Sequence, residues 1–167
     1  IDVINRGRGG EEADKEFDGF QEDIFELEPT LVIWQVGTNA VFHRQDYNIE
    51  AVAQKIEAGL DLLRAKSTKM DVMLIDPQYV TAMLKDDKAE LSECMVKLIS
   101  KKAELKGVSV FHRWALMRHW HVHNNISFER MIDPTDPDQL HQSDASTQRL
   151  ARGLCDTILK ATQSAET

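Results

Sequence analysis

The stretch LVIWQVGTNA, residues 31–40, joins an apolar strand to a short polar loop. The strand is predicted over residues 31–36 and begins with four apolar residues, which is typical of a strand buried on both faces of a parallel sheet. Ligands bind to such sheets beyond the carboxyl ends of the strands. Asn39 therefore lies where its side-chain amide can donate to a ligand oxygen, although Asn also commonly shapes turns of this kind.

Three further β-prone runs alternate with helical patterns around this strand. Strands separated by helices form βαβ units, so we predict a single α/β domain over residues 1–167, with a mainly parallel sheet covered on both faces. The predicted strands are residues 1–5, 31–36, 71–75 and 108–111. Apolar residues at helical spacing predict helices at residues 17–27, 49–63 and 91–105 and from about residue 145 onward.

The composition excludes several classes of protein. Of the 167 residues, 42% are hydrophobic and 29% are charged, as in ordinary globular domains. The net charge of −8, without a Lys/Arg cluster, disfavours nucleic-acid binding, because phosphate contacts dominate that affinity. No apolar run approaches the roughly 18–20 residues that a membrane-spanning helix needs. Cys94 and Cys155 are too few for a disulfide framework, and either buried free thiols or one bridge fits the sequence.

A glycine-rich loop, NRGRGGEE at residues 5–12, follows the first predicted strand. Such loops can hold a dinucleotide pyrophosphate on bare backbone N–H groups. Glu11 and Glu12 would repel a phosphate here, and they favour instead the N-terminus of the following helix. A tight turn that needs glycine for a positive φ explains the loop equally well. Arg6 and Arg8 either attract an anionic substrate or neutralise these carboxylates.

Asp138 and His141 are three residues apart in the loop DPTDPDQLHQS, residues 133–143, which precedes the last predicted helix. An Asp that holds one imidazole N–H leaves the other ring nitrogen free to act as a general base. A solvated acidic loop whose aspartates form turns is the alternative interpretation.

Together, three loops resemble the SGNH (GDSL-type) hydrolase family: Asn-x-Gly-x-Gly-Gly after one strand, Gly-Thr-Asn after the next, and Asp-x-x-His before the final helix. The resemblance extends over nearly the whole chain and implies a three-layer α/β/α flavodoxin-like sandwich. It implies that His141 is the catalytic base and that Asp138 is its orienting carboxylate. The Gly10 backbone N–H and the Asn39 side-chain amide would then bind the oxyanion. Ala40 departs from the Asp that often follows this Asn, which we interpret as a tolerated variation.

The family's first block, a strand that ends in Gly-Asp-Ser and supplies the nucleophile, has no counterpart in the sequence. None of the eight serines follows a strand in that context. The family's sheet order, 2-1-3-4-5, would place this strand in the interior beside residues 1–5, and its absence would leave ladder groups unpaired. We therefore expect the chain to be a fragment or the larger product of a cleavage. The first strand and the serine would come from an upstream segment or a separate chain.

The resemblance implies hydrolysis of acyl esters, such as short-chain or carbohydrate O-acetyl esters, through an acyl-enzyme and without a metal or other cofactor. The alternative from another class is an SGNH-like module that has lost its serine and binds a carbohydrate or a partner. Nucleotide binding through the glycine loop is disfavoured by Glu11 and Glu12. The resemblance alone favours a secreted or periplasmic location, with no nucleic-acid partner.

Aromatic residues and histidines near the strand ends are weaker candidates. Tyr79, Trp114 and Trp120 would line an acyl or leaving-group pocket, although core packing also suits the tryptophans. The three histidines of HWHVH, residues 119–123, favour a rim or packing role over a zinc or copper site, because no Cys or acidic ligand adjoins them. If this segment is helical, only the first and the third histidine share a face.

Overall fold

The structure is a computed structural model that describes residues 2–165. Its centre is a parallel sheet of three strands in the order β1-β2-β3. β1 spans Leu31–Gln35, β2 spans Asp71–Ile75 and β3 spans Ser109–Phe111. Gln35 pairs with Ile75, and Ile75 pairs with Phe111, so the three strands end level at their carboxyl ends. These strands confirm the sequence prediction to within one residue at each end.

Seven α-helices are found within residues 2–165. Four of them were expected, whereas α2 and α6 are too short to show a pattern and α5 mixes tryptophans with histidines and arginines. The helix predicted over residues 17–27 begins and ends four residues earlier, and a single 3₁₀ turn takes the place of its last part. The helices are α1 Ala13–Asp23, α2 Thr38–Phe42, α3 Ile49–Lys66, α4 Lys88–Lys106, α5 Arg113–Asn124, α6 Phe128–Met131 and α7 Asp144–Ala165.

Helices cover both faces of the sheet, which gives the three layers expected. On one face, Trp34 packs edge-on against Phe20 of α1, with 5.0 Å between ring centroids. Gly59 of α3 lies so close to the same indole that an added Cβ would be 2.6 Å from it. Side chains alternate between the faces of a strand, so Phe111 lies on the opposite face, where Gly153 of α7 approaches its ring. The sheet is thus held between α1 and α3 on one side and α7 on the other.

The first strand predicted over residues 1–5 is not found where the structure describes this segment. Ile1 lies outside the described residues, and residues 2–5 are exposed and form no strand, with Val3 89% accessible. A strand is stable only beside another strand, because its backbone N–H and C=O groups need partners. Among the described residues no strand lies beside this segment. β1 pairs only with β2 there, and Ile33 is 41% exposed.

Cys94 and Cys155 are exposed free thiols, so both expectations for them, burial and a bridge, are wrong. Within residues 2–165, no helix combines the length and the apolar character needed to cross a membrane.

Candidate active site

Polar side chains connect the loops that follow the strands. Asn39 follows β1, Gln78 follows β2, Arg113 follows β3, and residues 133–142 form the loop before α7. The carboxyl ends of parallel strands meet at one edge of a sheet, which is the edge where ligands bind in α/β folds. The hydrogen bonds between these loops define the candidate site.

Asn39 and Gly10, the two predicted oxyanion donors, lie on adjoining loops. Asn39 is half-buried, and its Nδ2 atom donates to the backbone carbonyl of Glu11 at 2.5 Å. Gly10 precedes Glu11, is exposed, and has a φ of 80°, a left-handed conformation that favours glycine. The turn interpretation of this loop therefore holds at Gly10. The second N–H of the Asn39 amide is left to donate elsewhere.

Glu12 lies behind these donors as a buried carboxylate. It is the N-cap residue of α1, so the expected role at the helix N-terminus is seen for Glu12, although the helix begins only at Ala13. The Glu11 carboxylate lies 3.7 Å from the Arg8 guanidinium instead. Its oxygens accept the backbone N–H groups of Ala13, Gly37 and Ala40 at 3.0, 2.9 and 2.9 Å. Burial raises the pKa of Glu12, and the three N–H donors oppose that rise.

The imidazole of His141 is held by Asp136. Nδ1 of His141 lies 2.9 Å from Oδ2 of Asp136. The backbone N–H groups of His141 and Leu140 donate to the same oxygen at 2.7 and 2.8 Å. The backbone N–H of His141, more than any other contact, lowers the pKa of Asp136 to about 2. The His141 side chain itself is 71% exposed, which leaves its Nε2 side open to solvent.

The hydrogen bond predicted between Asp138 and His141 is wrong for this structure. The Asp138 side chain is exposed, and the residue contributes only its backbone N–H, which donates to Oδ1 of Asp136 at 3.1 Å. Gln139 has a φ of 57°, so the chain reverses between the two residues. This reversal leaves Asp136 as the acceptor inside the turn. The three-residue spacing did not reveal it.

Gln78 joins the loop of Asn39 to the loop of His141. Its Oε1 atom accepts the hydroxyl of Thr38 at 2.9 Å, and its Nε2 atom donates to the backbone carbonyl of Leu140 at 3.2 Å. Thr38 adjoins Asn39 and Leu140 adjoins His141, so one buried side chain connects the candidate donor to the candidate base. A buried amide that uses both its donor and its acceptor holds its neighbours in a fixed arrangement.

Arg113 is a buried positive charge at the centre of this network. It is 6% exposed and donates to the Asp76 backbone carbonyl at 3.0 Å, to Gln35 at 2.9 Å and to Gln78 at 2.8 Å. Burial lowers the pKa of Arg113 to about 10, which leaves it charged at neutral pH. Sequence reasoning missed Arg113 and Gln78. The side chains that Arg113 contacts lie 35 to 78 residues away, so no local pattern signals them.

Asp76 and His112 form a second carboxylate–imidazole pair that sequence reasoning also missed. Asp76 is fully buried, and its Oδ1 atom accepts the backbone N–H of Trp114 at 2.8 Å. Nδ1 of His112 lies 3.1 Å from the other carboxylate oxygen, and this hydrogen bond raises the pKa of His112. A signal was present, because each residue directly follows a predicted strand.

The aromatic candidates contribute mainly to the core. Tyr79 and Trp114 pack almost perpendicular to each other, with ring centroids 5.0 Å apart. Trp114 is 6% exposed and Trp120 is 9% exposed, which leaves either indole little surface for a substrate. Tyr79 is half-buried and directly follows Gln78, so it is the more accessible of the two aromatic candidates that adjoin the network.

A groove of about 420 Å³ runs along the outer face of α5, and neither Asn39 nor His141 lines it. The HWHVH segment, residues 119–123, lies in α5 and is helical. Its first and third histidines share a face as expected, with ring centroids 4.9 Å apart. Within residues 2–165, no group of three or more His, Cys, Asp or Glu side chains is arranged to hold a metal. The groove is lined by Trp114, Ala115, Arg118, His119, Val122 and His123.

Three of the described serine hydroxyls form hydrogen bonds to the backbone. Ser92, Ser100 and Ser143 each donate to a backbone carbonyl. In the described part of the chain, the imidazole of His141 is hydrogen-bonded to Asp136 alone. None of the serines described there is therefore paired with the candidate base.

The chain has the fold of the SGNH-type hydrolases. One similar solved structure is Axe2, an acetylxylan esterase from Geobacillus stearothermophilus, at 16% identity over 91% of this chain and 69% of that chain, with a TM-score of 0.76. A lipase/acylhydrolase from Enterococcus faecalis has 16% identity over 93% of this chain and 74% of that chain, with a TM-score of 0.76. LAE5, an α/β hydrolase enzyme from the metagenome of Lake Arreo, Spain, has 19% identity over 90% and 69%, with a TM-score of 0.72.

At these identities the likeness establishes a shared fold. No family model matches the chain, and no curated protein gives a significant match.

Proposed function

We propose that the protein hydrolyses acyl esters through an acyl-enzyme, with His141 as the general base. The observation that carries the proposal is the link through Gln78, which connects Thr38 beside Asn39 to Leu140 beside His141. An oxyanion donor and a base are thereby held on two connected loops at the ligand-binding edge of the sheet, as acyl transfer requires.

Each residue has a distinct task in this mechanism. A serine supplied by an upstream segment or a separate chain attacks the carbonyl carbon, and Nε2 of His141 takes the hydroxyl proton. A carboxylate on Nδ1 fixes the imidazole tautomer and stabilises the imidazolium. The Gly10 N–H and the Asn39 amide stabilise the tetrahedral oxyanion, each donor typically contributing about 3–4 kcal/mol. Water activated by His141 then releases the acid.

The open edge of β1 supports the proposal that a further strand brings the serine. Among the described residues β1 pairs with β2 alone, and Ile33 is 41% exposed beside that edge. A strand added there would pair backbone groups that are otherwise left to water. Axe2 has been crystallised as catalytic mutants in which a serine, an aspartate or a histidine is replaced by alanine.

Two aspartates compete for the role of orienting carboxylate. Geometry supports Asp136, whose Oδ2 atom lies 2.9 Å from Nδ1 of His141. Position supports Asp138, because the aspartate and the histidine replaced in the Axe2 mutants are also three residues apart. Asparagine substitutions at the two positions separate these assignments.

Short acyl esters, including O-acetyl groups on carbohydrates, are the proposed substrates. The similar solved structures are an acetylxylan esterase and a lipase/acylhydrolase, which share ester chemistry and differ in the alcohol part. Tyr79 is proposed to contact the substrate, since it is half-buried and adjoins Gln78. Trp114 and Trp120 would support the wall of the site from within the core.

Turnover of p-nitrophenyl acetate by the full-length protein tests the proposal. We expect His141→Ala to lower kcat by roughly 10³-fold or more, because only the oxyanion donors remain. His123→Ala removes an exposed imidazole on α5 and should leave turnover at the wild-type rate. Labelling with a fluorophosphonate should identify the serine. Wild-type turnover by His141→Ala with an unchanged circular dichroism spectrum would refute the assignment.

A module that binds without catalysis is the second candidate. It is favoured by the observation that no serine in the described part of the chain is bonded to His141. Binding of an acetylated xylo-oligosaccharide without release of acetate, measured by calorimetry and NMR with the full-length protein, would support it over the esterase.

A further inference from the structure

Glu12 is a buried carboxylate for which the proposed mechanism has no task. It is 2% exposed, and its two oxygens accept three backbone N–H groups rather than a cationic side chain. Burying a carboxylate is costly unless its oxygens are fully hydrogen-bonded. The three backbone N–H groups that Glu12 bonds therefore indicate its role.

Two of those groups flank the oxyanion asparagine. Gly37 and Ala40 lie on either side of the Thr38–Asn39 pair, at the start of α2. Gly37 is the N-cap residue of α2 and has no side chain to satisfy the free N–H groups there. Glu12 supplies that cap from another helix, with Oε1 on Gly37 and Oε2 on Ala40. The ends of the loop are thus tied to one carboxylate.

A third hydrogen bond in the same direction completes the connection. The Asn39 amide donates to the backbone carbonyl of Glu11, which lies between Gly10 and Glu12. The Gly10 turn and the Asn39 segment are therefore joined by three hydrogen bonds, two accepted by the Glu12 carboxylate and one accepted by the Glu11 carbonyl. Fixing these two short segments together fixes the distance between their N–H donors.

We propose that Glu12 is a positioning residue for the oxyanion site, whose carboxylate holds the Gly10 N–H and the Asn39 amide in register with each other. This inference rests on the proposed function, because both groups are oxyanion donors only if the protein hydrolyses esters. Glu12 does not touch the substrate in this account. It acts through the loop of residues 37–40.

Two opposing effects of Glu12 can be separated by substitution. A negative charge behind the site disfavours an oxyanion, whereas correct placement of the donors favours it, and misplacement by about 1 Å can cost roughly 100-fold in rate. Glu12→Gln removes the charge and replaces one acceptor oxygen with an NH₂ group, so one loop N–H loses its partner. Glu12→Asp keeps the charge but is one methylene too short to reach both N–H groups.

The experiment combines amide hydrogen exchange at Gly37 and Ala40, read by NMR, with ester turnover by the full-length protein. We expect both variants to speed exchange at one or both amides and to lower kcat roughly 10- to 100-fold, with KM within about twofold. Glu22→Gln, an exposed charge change on the same helix, is the matched control and should change neither readout. Thermal unfolding verifies that the variants are folded.

The outcomes are distinct. Unchanged exchange at both amides, or a kcat that rises when the charge is removed, would overturn the positioning role. A protein that hydrolyses no ester in any form overturns the proposed function, while the exchange measurement still reports whether Glu12 holds the loop.

Discussion

Oδ2 of Asp136 lies 2.9 Å from Nδ1 of His141 and accepts the backbone N–H of the same residue at 2.7 Å. One oxygen thus binds both the main chain and the ring of His141, which sets the side-chain direction together with the loop. The ring N–H must lie on Nδ1, so Nε2 is the nitrogen available to accept a proton. The loop therefore presents the imidazole in the tautomer that a general base needs.

Replacing each aspartate by asparagine tests which carboxylate serves His141. We expect Asp136→Asn to lower kcat by roughly 10²- to 10⁴-fold, because the Asn amide favours the other imidazole tautomer. Asp138→Asn should leave kcat within about threefold, since its side chain makes no bond to the ring. The ¹⁵N shifts of the imidazole report the tautomer directly. A large loss in Asp138→Asn alone would transfer the role to Asp138.

The connection through Gln78 predicts a loss of stability on its removal. Gln78→Leu removes the acceptor of the Thr38 hydroxyl and of one Arg113 N–H, and the donor to the Leu140 carbonyl, and an unpaired buried polar group costs roughly 1–3 kcal/mol. We expect a decrease in the free energy of unfolding of at least about 2 kcal/mol, measured with urea.

Two further variants sharpen that result. Gln78→Glu keeps an acceptor for Arg113 but removes the donor to Leu140. We therefore expect faster hydrogen exchange in residues 136–141, with a smaller decrease in the free energy of unfolding than for Gln78→Leu. Gln54→Leu, on an exposed position of α3, is the control and should stay within about 0.5 kcal/mol of the parent protein. A neutral Gln78→Leu would contradict the bridging role.

Glu16 predicts a stability that depends on pH. Burial raises the pKa of Glu16 from its usual 4.5 to about 7, and the carboxylate accepts the Trp34 indole N–H at 2.7 Å. The folded state then binds the proton more tightly than the unfolded chain does, so the free energy of unfolding falls as pH rises from about 4.5 to about 7. Glu16→Gln keeps the acceptor and removes the titration.

We expect Glu16→Gln to match the parent protein at pH 4 and to be more stable at pH 8, by up to roughly 3 kcal/mol. Thermal unfolding at the two pH values measures the difference. Glu22→Gln makes the same charge change on the exposed side of α1 and should leave the pH profile as it was. Parallel profiles for Glu16→Gln and the parent would contradict the prediction.

Alanine substitutions at three glycines separate the effect of backbone strain on stability from the effect of crowding. Gly37 has a φ of 83°, and an added Cβ would lie 2.9 Å from Ile99 and from Met95. Gly10 has a φ of 80° with open space, and Gly9 has open space without a positive φ. For the alanine variants at Gly37, Gly10 and Gly9, we expect the free energy of unfolding, measured with urea, to fall by roughly 2–4, 1 and 0 kcal/mol, respectively. Equal losses at Gly37 and Gly10 would show that crowding contributes nothing.

The sheet was predictable because its strands carry their own pattern. Residues 71–75 are a short β-prone run followed by Asp76 and Pro77, and the strand appears with the same bounds. The position of Asn39 at the carboxyl edge of the sheet was predictable, since it lies within four residues of an apolar strand, although the structure places it in the short helix α2 rather than in a loop. Residues 1–5 show the limit of such patterns, because a β-prone run becomes a strand only where a neighbouring strand accepts its hydrogen bonds.

The network between the loops was not predictable from a single sequence. The partners of Arg113 and Gln78 come from three strand ends and the loop before α7, so their contacts exist only once the sheet is assembled. Asp136 was missed for another reason. Three aspartates stand within six residues, and the left-handed conformation of Gln139 decides which of them reaches His141.

The burial of Arg113 has an electrostatic consequence for the whole edge of the sheet. Its three closest acceptors are neutral oxygens, and the nearby carboxylate of Asp76 is shared with His112. In the weakly polarisable interior the potential of this cation is screened far less than that of a surface arginine. A molecule with a net charge of −8 therefore holds a weakly screened positive charge one hydrogen bond away from Thr38, the neighbour of the asparagine proposed to meet a developing anion.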